Sequence, residues 1–93
     1  MEMLTLIAYD ISSPKRLVRV AGVCEDFGVR VQYSLFECRL ENPEFEEFWG
    51  RLLREIDPAE DRLVAYLLDA RCARECRTAG TKVCSEQVVR YLV

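Results

Sequence analysis

A chain of 93 residues, 51 % of them apolar and with a formal charge of −3, makes one small domain that buries roughly two-thirds of its unfolded surface, so a partner subunit would add to its core. No run approaches the roughly 20 apolar residues that span a bilayer, and the N-terminus lacks the basic-then-apolar pattern of a secretory signal, which points to a soluble, cytoplasmic protein. There is no His; this removes the Ser-His and Cys-His nucleophile arrangements and the usual neutral-pH base, leaving chemistry to carboxylates, a metal, Lys, Tyr or Cys.

In chain order, residues 3–10 read as a first strand. Leu4 to Tyr9 form an apolar run suited to a covered pleated surface, and the run stops on Asp10. An ionised Asp is costly away from water unless it is paired or bound to a cation, so Asp10 is the first candidate functional residue. The alternative is that it only helps the next helix begin. Ser12 or Ser13 can cap that helix, with Pro14 suited to its first position. Leu17, Val20, Ala21, Cys24 and Phe27 then recur at helical spacing to about Phe27, and Gly28 is placed to end the turn. The opposite face carries Lys15, Arg16 and Arg19, which the same spacing gathers near the helix start and hence near Asp10. Such a group suits phosphate; it also suits a solvated face.

Val29 to Leu40 alternates as a long strand, with Val29, Val31, Tyr33 and Leu35 on one side and Arg30, Gln32, Ser34 and Phe36 on the other. Asn42-Pro43 opens a second helix, whose Phe45, Phe48, Trp49, Leu52, Leu53 and Ile56 form a core stripe. Glu44, Glu46, Glu47 and Glu55 make its outer face. Asp57-Pro58 breaks it. Residues 62–68 form a further strand ending at Asp69, and residues 70–80 a short helix or turn. Thr81 to Val83 suggests a brief strand, and Gln87 to Val93 a terminal one that closes a sheet edge or adds to another chain's sheet.

Charge is unevenly spread. Residues 41–61 hold two basic and eight acidic groups, whereas residues 62–93 hold six and three. Eleven of the thirteen basic residues are Arg, whose planar fork matches phosphate and stacks on bases, so a local basic surface is compatible with the acidic total. The five cysteines lack a compact disulfide spacing and fit a reducing compartment, most of them as small buried hydrophobes. Cys72, Cys76 and Cys84 could gather a soft metal, against which stand the absence of a two-residue Cys spacing and of any His.

This order predicts a single α+β domain over residues 1–93, a ferredoxin-like βαββαβ sandwich with its helices on one face of an antiparallel sheet and an extra C-terminal strand. It requires the long strand to bend around Tyr33-Ser34 into a hairpin. The other sheet face is then open to a second protomer.

Tyr9-Asp10-Ile11, followed by Lys15-Arg16 and then by the run Gly28-Val29-Arg30-Val31-Gln32-Tyr33-Ser34-Leu35-Phe36-Glu37-Cys38, resembles the CRISPR-associated protein 2 family of small adaptation proteins. The resemblance implies a symmetric homodimer with its sheets face to face, association with the CRISPR-associated protein 1 integrase, and binding of duplex DNA or RNA. It further implies a catalytic group of Asp10, Tyr9, Arg19, Arg30 and Phe36, with Asp10 from both copies sharing Mg2+ or Mn2+, while Lys15, Arg16, Arg19 and Arg30 meet nucleic acid. Leu17 stands where the family carries an Arg, and the acidic second helix departs from more basic members.

Two functions follow as expectations. One is a magnesium-dependent endonuclease that cuts phosphodiester bonds of RNA or double-stranded DNA, in which a water is activated at the paired acids. The other, favoured, is a dimeric adaptor in spacer capture, with cutting as an extra. A non-catalytic ferredoxin-like binding or regulatory module is the alternative to both.

Overall fold

A computed structural model of the chain describes residues 2–80. The elements are β1 (Met3–Asp10), α1 (Pro14–Phe27), β2 (Gly28–Gln32), β3 (Leu35–Leu40), α2 (Asn42–Glu55), β4 (Arg62–Leu68) and α3 (Ala70–Arg74). The strands expected at 81–83 and 87–93, and Cys84, lie outside the described residues. The long alternating run does divide at Tyr33-Ser34, and the four strands order as β2-β3-β1-β4 with every neighbouring pair antiparallel. This is the ferredoxin-like arrangement.

The most apolar strand, β1, occupies the centre of the sheet, where its backbone is paired on both sides. Ile7 lies opposite Phe36 of β3 and Ala65 of β4. Because successive side chains alternate faces, Ile7 and Tyr9 share one face with Phe36, Cys38 and Leu40, and there they meet Val20, Val23 and Cys24 of α1 and Phe48 and Leu52 of α2. Phe36, Phe48, Ile7 and Leu52 have no exposed surface, and full burial of each contributes about 1.5–3 kcal/mol. The same alternation turns Leu4, Leu6, Ala8 and Asp10 to the face away from α1 and α2.

Each helix begins as the sequence suggests. The Ser13 side chain accepts from Arg16 N at 3.3 Å. Glu41 precedes α2, and its N–H donates to Glu44 Oε1 at 3.0 Å, giving the first turn an internal partner. Of the α2 stripe, Phe45, Trp49 and Ile56 flank the core, whereas Leu53 is 49 % exposed. Gly28 does follow the last residue of α1, but with φ −163° it is extended backbone rather than a left-handed cap. The need for glycine is close approach: a Cβ would collide with the Glu37 carbonyl oxygen and Cys38 Sγ of β3.

Candidate acid and arginine site

Both β1 and β2 stop at the same end of the sheet, which also receives the start of α1 and the loop entering β4. Asp10 closes β1 there, exposed, with Arg62 as its cross-strand partner in β4. Its carboxylate makes no hydrogen bond or ion pair among the described residues. Among those residues no three His, Cys, Asp or Glu side chains gather as a metal set. One copy of the chain therefore offers one free carboxylate here, a hard oxygen donor that suits magnesium only as part of a larger set.

The five residues that the resemblance groups as catalytic are not gathered on one surface. Tyr9, Arg30 and Phe36 belong to the helix-side face, because Arg30 is paired with Phe36 and Phe36 lies in the core; Asp10 is on the other. The Tyr9 and Phe36 rings stack at 6.2 Å between centroids, and the Arg30 guanidinium lies 5.0 Å over the Phe36 ring. Arg30 Nη1 donates to the Tyr33 carbonyl at 2.6 Å, and Tyr9 Oη donates to the same oxygen at 3.3 Å. Burial raises the phenol pKa of Tyr9, with the Arg30 charge opposing, so Tyr9 stays a donor at neutral pH. The β2–β3 turn is thus fastened from within by two residues expected to meet substrate.

Arg16, expected on phosphate, is taken up by the protein itself. Its Nε donates to Asp61 Oδ2 at 2.7 Å and its Nη2 to Glu60 Oε1 at 2.8 Å and to Asp61 Oδ1 at 3.2 Å. Asp61 also accepts from Ser12 N at 3.0 Å and from Asp57 N at 2.8 Å, and its side chain has no exposed surface. These bonds, the one from Arg16 first, hold its carboxyl well below the usual carboxylate range. The Ser12 hydroxyl donates to the Glu60 carbonyl at 2.8 Å, completing a clamp between the β1–α1 loop and the loop before β4. Sequence reading missed this role of Asp61. The only local signal was its place three residues past Pro58, and its partner Arg16 lies 45 positions earlier.

Lys15 and Arg19 are exposed on the first turns of α1 and, like Arg30 and Arg62, have no carboxylate partner among the described residues. Leu17, where the resemblance leads one to expect an Arg, is 40 % exposed on the same helix. Glu37, not singled out by the sequence, lies opposite Leu6 and Val29 on the sheet face away from the helices, only 6 % exposed. Burial raises its pKa and Arg39 opposes the rise. Cys24 and Cys38 are buried free thiols, each pushed up to about 12 chiefly by burial. Cys72 and Cys76 are exposed.

This fold and site define a small ferredoxin-like α+β protein in which a central strand ends in an acid, near cations that, like it, have no ion-pair partner among the described residues. The chain belongs to the CRISPR-associated protein Cas2 family, whose sequence model matches residues 3–76. It is 37 % identical, over the whole length of both chains, to a Chloroflexus aurantiacus protein named CRISPR-associated endoribonuclease Cas2 3. The crystal structure of Streptococcus pyogenes Cas2 at pH 6.5 superposes with a TM-score of 0.75 at 40 % identity, covering 84 % of this chain and 100 % of that one. A chain from a partial Cas6-RT-Cas1–Cas2 complex shares the fold, with a TM-score of 0.65 at 21 % identity over 82 % of this chain and 89 % of that one.

Proposed function

We propose that this chain serves CRISPR adaptation as a cytoplasmic homodimer that binds duplex nucleic acid beside the Cas1 integrase, with magnesium-dependent phosphodiester cleavage as a further activity. The observation that carries this reading is the exposed Asp10 at the end of β1, with Lys15, Arg19 and Arg62 at the same end, none of the four having an ion-pair partner among the described residues. Family membership and the endoribonuclease name of the Chloroflexus relative support it, and so does the fold likeness to a chain of a Cas1–Cas2 assembly.

Asp10 from each of two copies would hold the magnesium ion, since the described residues of one chain supply a single unengaged carboxylate at this point. Bound there, the metal would supply Lewis acidity and a more acidic water. Lys15 and Arg19 take the phosphates and offset charge that develops on them. Arg16 is engaged by Asp61 and Glu60, which favours Lys15 and Arg19 over it for the phosphates, and the contacts of Tyr9 and Phe36 with Arg30 and the turn favour an indirect role for both.

The test is Asp10→Asn assayed for cutting and for spacer capture. Loss of cutting with capture retained supports an adaptor that also cuts; persistence of both removes Asp10 from either role. Sedimentation that shows only monomers at every concentration overturns the shared-metal reading.

A further inference from the structure

Tyr33 is 84 % exposed at the tip of the β2–β3 hairpin. Burial does not explain a large aromatic there. Two-residue hairpin tips favour Gly, Asn or Asp, which accept positive φ; no non-Gly described residue has positive φ, and the hairpin instead accommodates its twist by a register shift between Arg30 and Gln32. The Tyr-Ser tip is therefore no turn optimum, and its aromatic ring faces solvent.

The backbone carrying that ring is unusually well held. The Tyr33 carbonyl accepts from both Arg30 Nη1 at 2.6 Å and Tyr9 Oη at 3.3 Å, and the Ser34 carbonyl accepts from Tyr9 N at 3.1 Å. Arg30 is in turn fixed over the buried Phe36 ring at 5.0 Å. A core-anchored network thus presents a flat aromatic group on a backbone that has little freedom left to lose on binding. Around the same sheet end, Lys15, Arg19, Arg30 and Arg62 lack carboxylate partners among the described residues. An exposed aromatic ring on a fastened backbone, at the sheet end that also carries these cations, matches a ligand with both phosphates and accessible base faces, because every base has a π-face and stacking tolerates any sequence. Inside a duplex those faces are already covered, so the ligand group is an unpaired base at a frayed end or in a single strand.

We infer that Tyr33 is a stacking platform for an unpaired nucleobase, with Tyr9 and Arg30 as the positioning residues that hold it. This rests on the nucleic-acid reading above and names which part of the nucleic acid is met.

The experiment uses the full chain with two probes of one sequence: a single-stranded oligonucleotide carrying 2-aminopurine, whose fluorescence is quenched by stacking, and its blunt duplex. Tyr33→Ala and Tyr33→Leu should weaken single-strand binding by roughly five- to a hundredfold and abolish quenching, with duplex affinity changed by less than about twofold. Tyr33→Phe should bind and quench as the wild type. Unchanged single-strand affinity in Tyr33→Ala overturns the inference, as does an equal loss on both probes. A shift in dimer sedimentation with neither probe affected assigns Tyr33 to a protein contact and also overturns it. Wild-type binding of the duplex without the single strand sinks this inference alone; wild-type binding of neither probe sinks the nucleic-acid reading with it.

Discussion

The two flanks of the β1 end treat their arginines differently. On the β4 side, Arg16 meets two carboxylates that offset its charge; on the β3 side, Arg30 meets a carbonyl oxygen, a ring and the Tyr9 phenol, with no carboxylate partner among the described residues. A guanidinium bound by two carboxylates is neutralised and structural, whereas one held by neutral groups keeps its charge while being fixed in place. Residue type alone would make them equivalent. The acids supplied by the loop before β4 decide which of them remains available to an anion.

The largest effect should come from removing the aromatic base of the β3 flank. Phe36→Ala leaves a cavity in a fully buried position and should cost about 3–5 kcal/mol, a large share of the stability of a domain this size, as read by urea unfolding. Next comes the β4 flank, where Asp61→Asn strips Arg16 of its main partner and should lower Tm by on the order of 10 °C. A lowered carboxylate pKa adds stability that is present above the unfolded value and is lost as pH falls through the folded one. Wild-type stability should therefore decline below about pH 4, and Asp61→Asn should flatten that acid limb.

Glu37 gives the opposite sign and a smaller effect. A raised folded-state pKa means that its contribution is full below the ordinary glutamate value and is lost as pH rises through the raised one, so the ionised form is a burden at neutral pH. Glu37→Gln should raise Tm by about 2–5 °C at pH 7, and the gain should vanish near pH 4. The smallest effect on stability sharpens the contrast between the arginines. Replacing Lys15 and Arg19 together by Ala should move stability by no more than about 0.5 kcal/mol yet reduce the salt slope of duplex binding by about 2. Arg16→Ala should do the reverse, losing stability and leaving the slope unchanged.

The elements were legible because their signals are local: a strand that stops on Asp10, a helix opened by Ser13-Pro14, a stripe from Phe45 to Ile56. Even the hairpin at Tyr33-Ser34 followed from a strand too long to stay whole. The site was legible only as residue types. Alternation along β1 puts Tyr9 and Asp10 on opposite faces, which the sequence contains but which a grouping by family likeness obscures. The Arg16–Asp61 clamp was not legible, since two charged residues 45 positions apart carry no local mark of their meeting. Gly28 was placed correctly for an incomplete reason: the backbone of β3, not a left-handed turn, demands it.

Helix α1 ends at Phe27 and strand β2 starts at Gly28, with no residue between them. Such a junction has no slack. One inserted residue would either swing the helix by about 100° about its axis, carrying Val20 and Cys24 off the sheet, or invert which side chains of β2 look inward. Length variation among natural versions of this chain should thus be forbidden at that seam, and this helix and strand must change in step or not at all.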